Sequence, residues 1–244
     1  LVGSEMCIRD RMNNARLNVG VQGLAISERA YQKALSFSKE RIQGYSLNKN
    51  ITGPVEIIKH PDVKRMLMEM KSQIEAMRGL AITTGNFIDK YKNFPNSPEG
   101  KECLFISNLL TPIVKAWCTD QSIYITSLGV QVHGGMGFIE DTGAAQYYRD
   151  CRILAIYEGT NGVQALDLVA RKVIKDGGRA VQSFLEYVRN TRVEPGFEEV
   201  LEENLNRLDS VTQGIVRRSQ TDVDLPGAVS ADYLELFGLV CYAW

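Results

Sequence analysis

The chain has 244 residues, of which 44% are hydrophobic, and its formal net charge is −1. This length and this hydrophobic content are enough for one sizeable core, with room for a second small unit. The nearly neutral charge gives no indication of a basic surface for nucleic acid. The sequence also contains no apolar run of about 18 residues, which a membrane-spanning helix would require. Five scattered cysteines, without CxxC spacing or a secretory signal, indicate reduced thiols and a cytoplasmic protein.

Both ends of the chain look unusual. Residues 1–11 show neither helical nor strand periodicity, so we expect them to be a non-native leader. The other end stops at Trp244 inside an apolar helical pattern, which would leave an amphipathic helix unfinished. We therefore expect the chain to be a fragment of a longer protein.

Two long helices are predicted in the first part of the chain. In the first helix, apolar residues from Leu17 to Ile42 share one face, and Gly44 is expected to end it. A polar loop over 45–59 follows. The second helix begins near Pro61, and its apolar side chains alternate spacings of four and three residues.

Two further long helices follow. The third carries apolar side chains from Ile106 to Tyr124 and Leu128 on one face, and Pro112 is expected to kink it or to mark its true start. A short helix near 143–148 precedes the fourth long helix, roughly 160–174. Four long helices with short connections, and no alternating strand pattern, predict an all-α, antiparallel up-and-down four-helix bundle. We assign residues 12–178 to this bundle.

The character of the sequence changes after Gly178. Three shorter helical patterns follow, broken at Pro195-Gly196 and again over 222–228. We predict that residues 179–244 are the start of an extra, truncated helical domain.

Three motifs lie between the third and fourth helices. They are the glycine turn 134–137 with Gln131 ahead of it, the Arg149-Asp150 pair and the Tyr-Glu-Gly-Thr segment 157–160. Their order closely resembles the C-terminal catalytic half of the acyl-CoA dehydrogenases. The sequence over 110–118 looks like the longer bacterial members, which include 3-methylthiopropanoyl-CoA dehydrogenases.

The resemblance implies an FAD-dependent enzyme that forms the α,β double bond of an acyl-CoA thioester. It also implies a homodimer or homotetramer that passes electrons to an electron-transfer flavoprotein. Glu158 occupies the position of the base that removes the α-proton. Its neighbours Tyr157 and Gly159 are then expected to contact the substrate.

Elementary chemistry supports Glu158 independently. The apolar run over 153–157 delivers its carboxylate towards a pocket that excludes water, which suits a general base. Local sequence alone favours a glutamate that complements the dipole of the following helix. Together with the other two motifs, the base is the favoured interpretation.

The resemblance also implies cofactor and substrate contacts. The expected FAD contacts are Arg41, Gln43, Gln131, Gly134, Gly135, Thr160 and Asn161. Arg16 is expected near the adenosine side of the acyl-CoA. Without the resemblance, both arginines would be interpreted as solvated helix charges, although an arginine does suit a diphosphate.

Some positions depart from the family pattern. An insertion follows Gly44-Tyr45, and Gly162 stands where shorter members carry a glutamine. The two histidines, His60 and His133, lack metal-ligand spacing, so no metal site is predicted, and His133 is expected to be a packed residue.

Two other functions stay open. An acyl-CoA oxidase would share the base and the flavin but pass electrons to oxygen. A helical interaction module would use the bundle without catalysis. Because the N-terminal helical domain and middle β-domain of the family are not in these 244 residues, we expect the chain alone to be inactive and to bind FAD poorly.

Overall fold

A computed structural model describes residues 2–48 and 50–244, with side chains described from residue 11 onward apart from residue 49. Four long helices dominate it. The first three are α1 (Val2–Glu40), α2 (Pro61–Asn93) and α3 (Pro98–His133). The fourth begins as α6 (Asn161–Leu166) and continues as a π-helical segment (Asp167–Ile174).

Side-chain contacts fix the directions of these helices. Gly20 and Gly23 of α1 pack against Val114 and Cys118, so α1 and α3 run in the same direction. Tyr124 of α3 donates a hydrogen bond to Glu69, whereas Lys90 lies near Glu99, so α2 runs the opposite way. The fourth helix also opposes α3, because its first residue, Asn161, bonds Thr119, whereas Asp167 pairs with Arg16, one turn before Gly20. The predicted all-α, up-and-down four-helix bundle is confirmed.

Helix starts follow from capping residues. Ser97 precedes α3 and its hydroxyl accepts a hydrogen bond from the amide of Gly100 at 2.9 Å. Prolines occupy the first turns of α2 and α3. Pro112 lies inside α3 and does not mark its start, so that part of the prediction is wrong.

The end of the first helix differs from the prediction. α1 ends at Glu40, and the chain then forms strand β1 (Ile42–Tyr45), which pairs antiparallel with β2 (Pro54–Glu56). No alternating pattern predicts this short hairpin. Tertiary contacts stabilise it, because a ring nitrogen of His60 hydrogen-bonds the carbonyl of Gln43 at 2.7 Å.

Shorter helices complete the fold. Two of them, α4 (Gly135–Phe138) and α5 (Ala144–Cys151), lie between the third and fourth long helices. The C-terminal part consists of α7 (Arg179–Arg189), α8 (Glu198–Arg218) and α9 (Leu225–Ala243). Aromatic rings join α7 to α9: Phe184 contacts Phe237 and Trp244. One hydrophobic core is continuous from α1 to α9.

The residues on the predicted apolar faces of the helices are buried or half-buried, apart from three that are exposed. Val21, Ile42 and Tyr124 expose 41%, 57% and 43% of their surface, so their assignment to these faces is wrong. Four cysteines, Cys103, Cys118, Cys151 and Cys241, are free and buried, as expected for small apolar side chains. Over the described residues, no helix has the length and hydropathy to cross a membrane.

Candidate active site

Glu158 lies in a strained turn immediately before α6. Its φ is +56°, which makes it the one non-glycine residue with a positive φ in the described part of the chain. Gly159 continues the turn with a φ of +87°. L-residues avoid this left-handed region, because the Cβ approaches the following carbonyl oxygen, so surrounding contacts must hold the turn.

Gln164 supplies some of these contacts from within α6. Its side chain is buried, and its amide nitrogen donates to the carbonyls of Glu158 at 3.3 Å and Gly159 at 3.4 Å. A Cβ at Gly159 would lie 2.8 Å from the same nitrogen. Thr160 caps α6 as predicted, because its hydroxyl accepts from the amide of Val163 at 3.3 Å.

Asn161 ties the start of α6 to α3. Its amide nitrogen donates to the carbonyl of Ala116, the hydroxyl of Thr119 and a carboxylate oxygen of Asp120, at 3.1, 2.9 and 2.8 Å. Its amide oxygen accepts from Lys115 Nζ at 2.8 Å. The side chain is therefore engaged in internal hydrogen bonds on both its donor and its acceptor side.

Lys115 is a fully buried lysine on α3. Burial lowers its pKa to about 8; the positive charge of Arg16 lowers it as well, while Asp120 and Glu158 act in the opposite direction. Burial also raises the pKa of the Asp120 carboxyl, against the hydrogen bond from Asn161. The segment after Glu158 is thus tied through Asn161 to the buried Lys115 and to Asp120.

Two predicted substrate residues make internal contacts. Arg16, which is half-buried on α1, forms an ion pair at 3.3 Å with the buried Asp167 of the π-helical segment. The hydroxyl of Tyr157 donates to the side-chain oxygen of Gln22, also on α1. Both contacts fasten the segment around Glu158 to α1.

Five of the seven predicted cofactor residues meet in a second place. A surface cleft of about 660 Å³ is lined by Arg41, Gln43, Gln131, Gly134 and Gly135. A Cβ added at either glycine would meet no atom within 4 Å, so the backbone there is open to a ligand. Arg41 places a guanidinium nitrogen 3.5 Å from the side-chain oxygen of Gln43, on the exposed rim.

The wall of this cleft contains the predicted packed histidine. The ring of His133 stacks on Phe37 with centroids 4.4 Å apart, and Nδ1 lies 2.7 Å from the carbonyl of Gly129. Burial lowers the pKa of His133. Across the described residues, no group of three His, Cys, Asp or Glu side chains could hold a metal ion.

Comparison with known proteins explains why these features occur together. Residues 6–174 match the family described as "Acyl-CoA dehydrogenase, C-terminal domain", and residues 179–244 match "Acetyl-CoA dehydrogenase C-terminal like". The chain belongs to the acyl-CoA dehydrogenase family. The first of these matches begins at residue 6, whereas the sequence pattern predicts the start of the bundle at residue 12.

Two curated relatives and one solved structure illustrate the relationship. The chain is 50% identical to 3-methylmercaptopropionyl-CoA dehydrogenase of Ruegeria pomeroyi, over 75% of this chain and 31% of that protein. It is 35% identical to a butyryl-CoA dehydrogenase of Syntrophomonas wolfei, over 71% and 28% of the two chains. It thus spans less than a third of either relative's length.

The solved structure is an acyl-CoA dehydrogenase of Bacillus anthracis complexed with FAD. It has a TM-score of 0.74 at 18% identity and covers 98% of this chain and 42% of its own. At this level of identity, the likeness shows the fold alone.

The two candidate regions of this acyl-CoA dehydrogenase chain lie apart. Lys115, under the Glu158 turn, and Gln131, in the cleft, are both on α3. At about 1.5 Å of rise per residue, roughly 24 Å of helix separates them. The predicted cofactor residues therefore form two groups: five in the cleft, and Thr160 and Asn161 beside Glu158.

Sequence reasoning missed two residues of the site, Lys115 and Gln164. Each is a polar residue surrounded in sequence by apolar or helix-core positions, and both are fully buried. A lysine inside the apolar run of α3 was a usable signal, since lysines are almost never fully buried without a partner. No comparable signal distinguishes Gln164 from a solvated glutamine.

Proposed function

We propose that the chain is the C-terminal catalytic half of an FAD-dependent acyl-CoA dehydrogenase, which introduces the α,β double bond of an acyl-CoA thioester. The observation that carries this proposal is the turn of Glu158. Its backbone is left-handed, Gln164 donates to its carbonyl, and Asn161, three residues further on, ties the start of α6 to α3, which supports a preorganised position for this carboxylate.

The chemistry assigned to the chain's own residues is proton removal. The Glu158 carboxylate takes a proton from the α-carbon of the thioester. When bound, FAD supplies the acceptor for the hydride from the β-carbon, which no protein side chain can accept. Tyr157, anchored through Gln22, forms the substrate side of the turn.

The cleft suits the phosphate-bearing part of a dinucleotide. Arg41 and the side-chain amides of Gln43 and Gln131 present donors, and the open backbone at Gly134 and Gly135 permits close approach. Thr160 lies in the other group with Glu158. The resemblance to the family implies that the glycine turn contacts the FAD of a neighbouring subunit, so we assign the cleft to that FAD in a homodimer or homotetramer.

The geometry changes two assignments within the proposal. The side-chain amide of Asn161 is engaged in hydrogen bonds with Lys115 and Ala116 of α3. We therefore assign Asn161 to holding the turn of Glu158 rather than to contacting FAD. Arg16 pairs with Asp167, so we assign it to the support beneath the site rather than to the adenosine of acyl-CoA.

The relative that is 50% identical over 183 residues supports a short thioether-containing acyl-CoA as substrate. Its name, 3-methylmercaptopropionyl-CoA dehydrogenase, denotes the same thioester as 3-methylthiopropanoyl-CoA, which the sequence resemblance also indicates. We further propose a cytoplasmic enzyme that passes electrons to an electron-transfer flavoprotein. Peroxide formation that depends on oxygen would identify an acyl-CoA oxidase instead.

The experiment uses the full-length parent protein with FAD bound. Anaerobic mixing with a panel of acyl-CoA thioesters, including 3-methylmercaptopropionyl-CoA, is followed through the bleaching of the flavin absorbance. We expect bleaching with one thioester, and a loss of at least about a thousandfold in its rate in Glu158→Gln, because the base is removed.

Glu203→Gln is the matched control, because Glu203 is an exposed glutamate on α8 that pairs with Arg207. It should bleach at the wild-type rate. Bleaching that survives Glu158→Gln would overturn the assignment of the base. A parent protein that contains no flavin would favour the interaction module.

A further inference from the structure

Lys115 stands out because its side chain has no exposed surface although it carries an ionisable group. It lies within the apolar run of α3 between Val114 and Ala116, both of which are fully buried. Placing an ammonium there costs free energy, which only specific polar partners offset. Its partners therefore indicate why it is present.

The charged and polar groups around Lys115 come from several elements. Asp120 lies on the same helix, Arg16 approaches from α1, and Glu158 belongs to the turn before α6. Asp167 of the π-helical segment neutralises Arg16 at 3.3 Å. The direct hydrogen bond of Lys115 runs to Asn161 Oδ1 at 2.8 Å. Lys115 thus contacts the residue that anchors the turn and lies within electrostatic range of the carboxylate that the turn presents.

We propose that Lys115 is a positioning residue for Glu158. It fastens the start of α6, and with it the turn of Glu158, to α3 through its hydrogen bond to Asn161. This inference rests on the proposed function, because it assigns Lys115 to the base of that reaction.

The charge is present under neutral conditions. Burial lowers the pKa of Lys115 only to about 8, so the ammonium form predominates at pH 7. A hydrogen bond donated by an ammonium is stronger than one donated by a neutral group. Removing the ammonium should loosen the attachment of Asn161 to α3 and displace the Glu158 carboxylate from its position for the reaction.

The test measures the rate of anaerobic flavin reduction at several thioester concentrations, in the full-length holoenzyme. The variants are Lys115→Met, which cannot donate to Asn161, and Lys115→Gln, whose side-chain amide can. In Lys115→Met we expect a several-fold lower limiting rate with little change in KM, and in Lys115→Gln a partial recovery of that rate.

Lys101→Gln is the control, because Lys101 is an exposed lysine on the same helix. Its limiting rate and KM should equal those of the wild type. Lys115→Met is expected to fold, since an apolar side chain of similar volume is well tolerated at a buried charge. If it loses flavin, Lys115→Leu is measured in its place, and the same lower rate is expected.

The outcomes separate the two proposals. A wild-type rate in Lys115→Met, or a rate in Lys115→Gln no higher than in Lys115→Met, would overturn the inference alone. Glu158→Gln is measured alongside; if it still reduces the flavin, the proposed function itself fails. Loss of reduction in Glu158→Gln, together with a lower rate in Lys115→Met that Lys115→Gln partly restores, would support both.

Discussion

At the scale of single residues, the left-handed backbone conformation of Glu158 is the feature that best supports the proposed function. A non-glycine residue in the left-handed region costs roughly 1–2 kcal/mol. Two buried donations from Gln164 and the anchoring of Asn161 offset that cost locally. Such strain is retained where a side chain must point in one direction, which is what a general base requires.

This strain predicts an inverse relation between stability and function at Glu158. Glu158→Gly and Glu158→Ala both remove the carboxylate, but only glycine adopts a φ of +56° without a steric cost. We expect the unfolding free energy of Glu158→Gly to exceed that of Glu158→Ala by about 1 kcal/mol. Urea denaturation measures this difference, and Glu158→Gly should have the higher midpoint. Equal midpoints would show that the turn is not strained.

His133 gives a second prediction at this scale, through pH. Burial lowers its pKa in the folded state; the hydrogen bond with Gly129 opposes this, and the charge of Lys33 adds to it. Between the lowered folded value and the ordinary value near 6.5, the unfolded chain binds a proton that the folded chain does not. The unfolding free energy therefore falls as the pH falls through this window.

The measurement is urea unfolding at about pH 7.5 and about pH 5.5. Wild-type protein should lose more stability on acidification than His133→Phe, a variant that keeps an aromatic ring against Phe37. An identical loss in the two proteins would show that His133 does not contribute.

At the scale of elements, the close approach of α1 and α3 supports the whole site. Gly20 makes it possible, because a Cβ there would lie 2.6 Å from the carbonyl oxygen of Val114, the residue before Lys115. Backbone atoms cannot move aside as a flexible side chain can. The position of α1 in turn sets the contacts of Arg16 and Gln22 with the segment around Glu158.

Gly20→Ala should therefore destabilise the protein by about 1–3 kcal/mol, since the inserted methyl group forces the two helices apart. Gly79→Ala is the matched control in α2, where a Cβ meets nothing within 4 Å. That change should be neutral or should stabilise by up to about 1 kcal/mol through helix propensity. Chemical denaturation of both variants provides the comparison, and a neutral Gly20→Ala would contradict the packing argument.

Elements differ in how well their sequence predicts them. The seam of α2 is regular, and Leu67, Met70, Ile74 and Met77 are all buried as the spacing predicts. The hairpin of β1 and β2 has no such periodicity. His60 hydrogen-bonds its backbone at Gln43, and the amide of Ile57, just after β2, donates to the carbonyl of Arg41, just before β1. Those contacts are not visible in local sequence.

At the scale of the whole molecule, two facts bear on activity. The chain spans less than a third of the length of the two curated relatives described above. Its two groups of predicted cofactor residues are roughly 24 Å apart along α3. Neither group encloses a ligand by itself, because the cleft is open and Glu158 is only half-buried.

We therefore expect the 244-residue chain alone to bind FAD poorly and to be inactive. The purified chain would be incubated with FAD and passed through gel filtration, and its flavin absorbance would be compared with its protein absorbance. Much less than one flavin per chain is expected. A stoichiometric yellow protein would refute this prediction.

The sequence by itself determined the family, the bundle and the identity of the candidate base. These follow from periodic burial and from short motifs whose residues are close in the chain, so that local order preserves them. Only the tertiary structure showed the left-handed turn of Glu158, the contacts of Asn161 with α3 and the buried Lys115 beneath them. These depend on residues far apart in sequence, and the free energy that makes a buried charge or a strained turn tolerable comes from packing between helices.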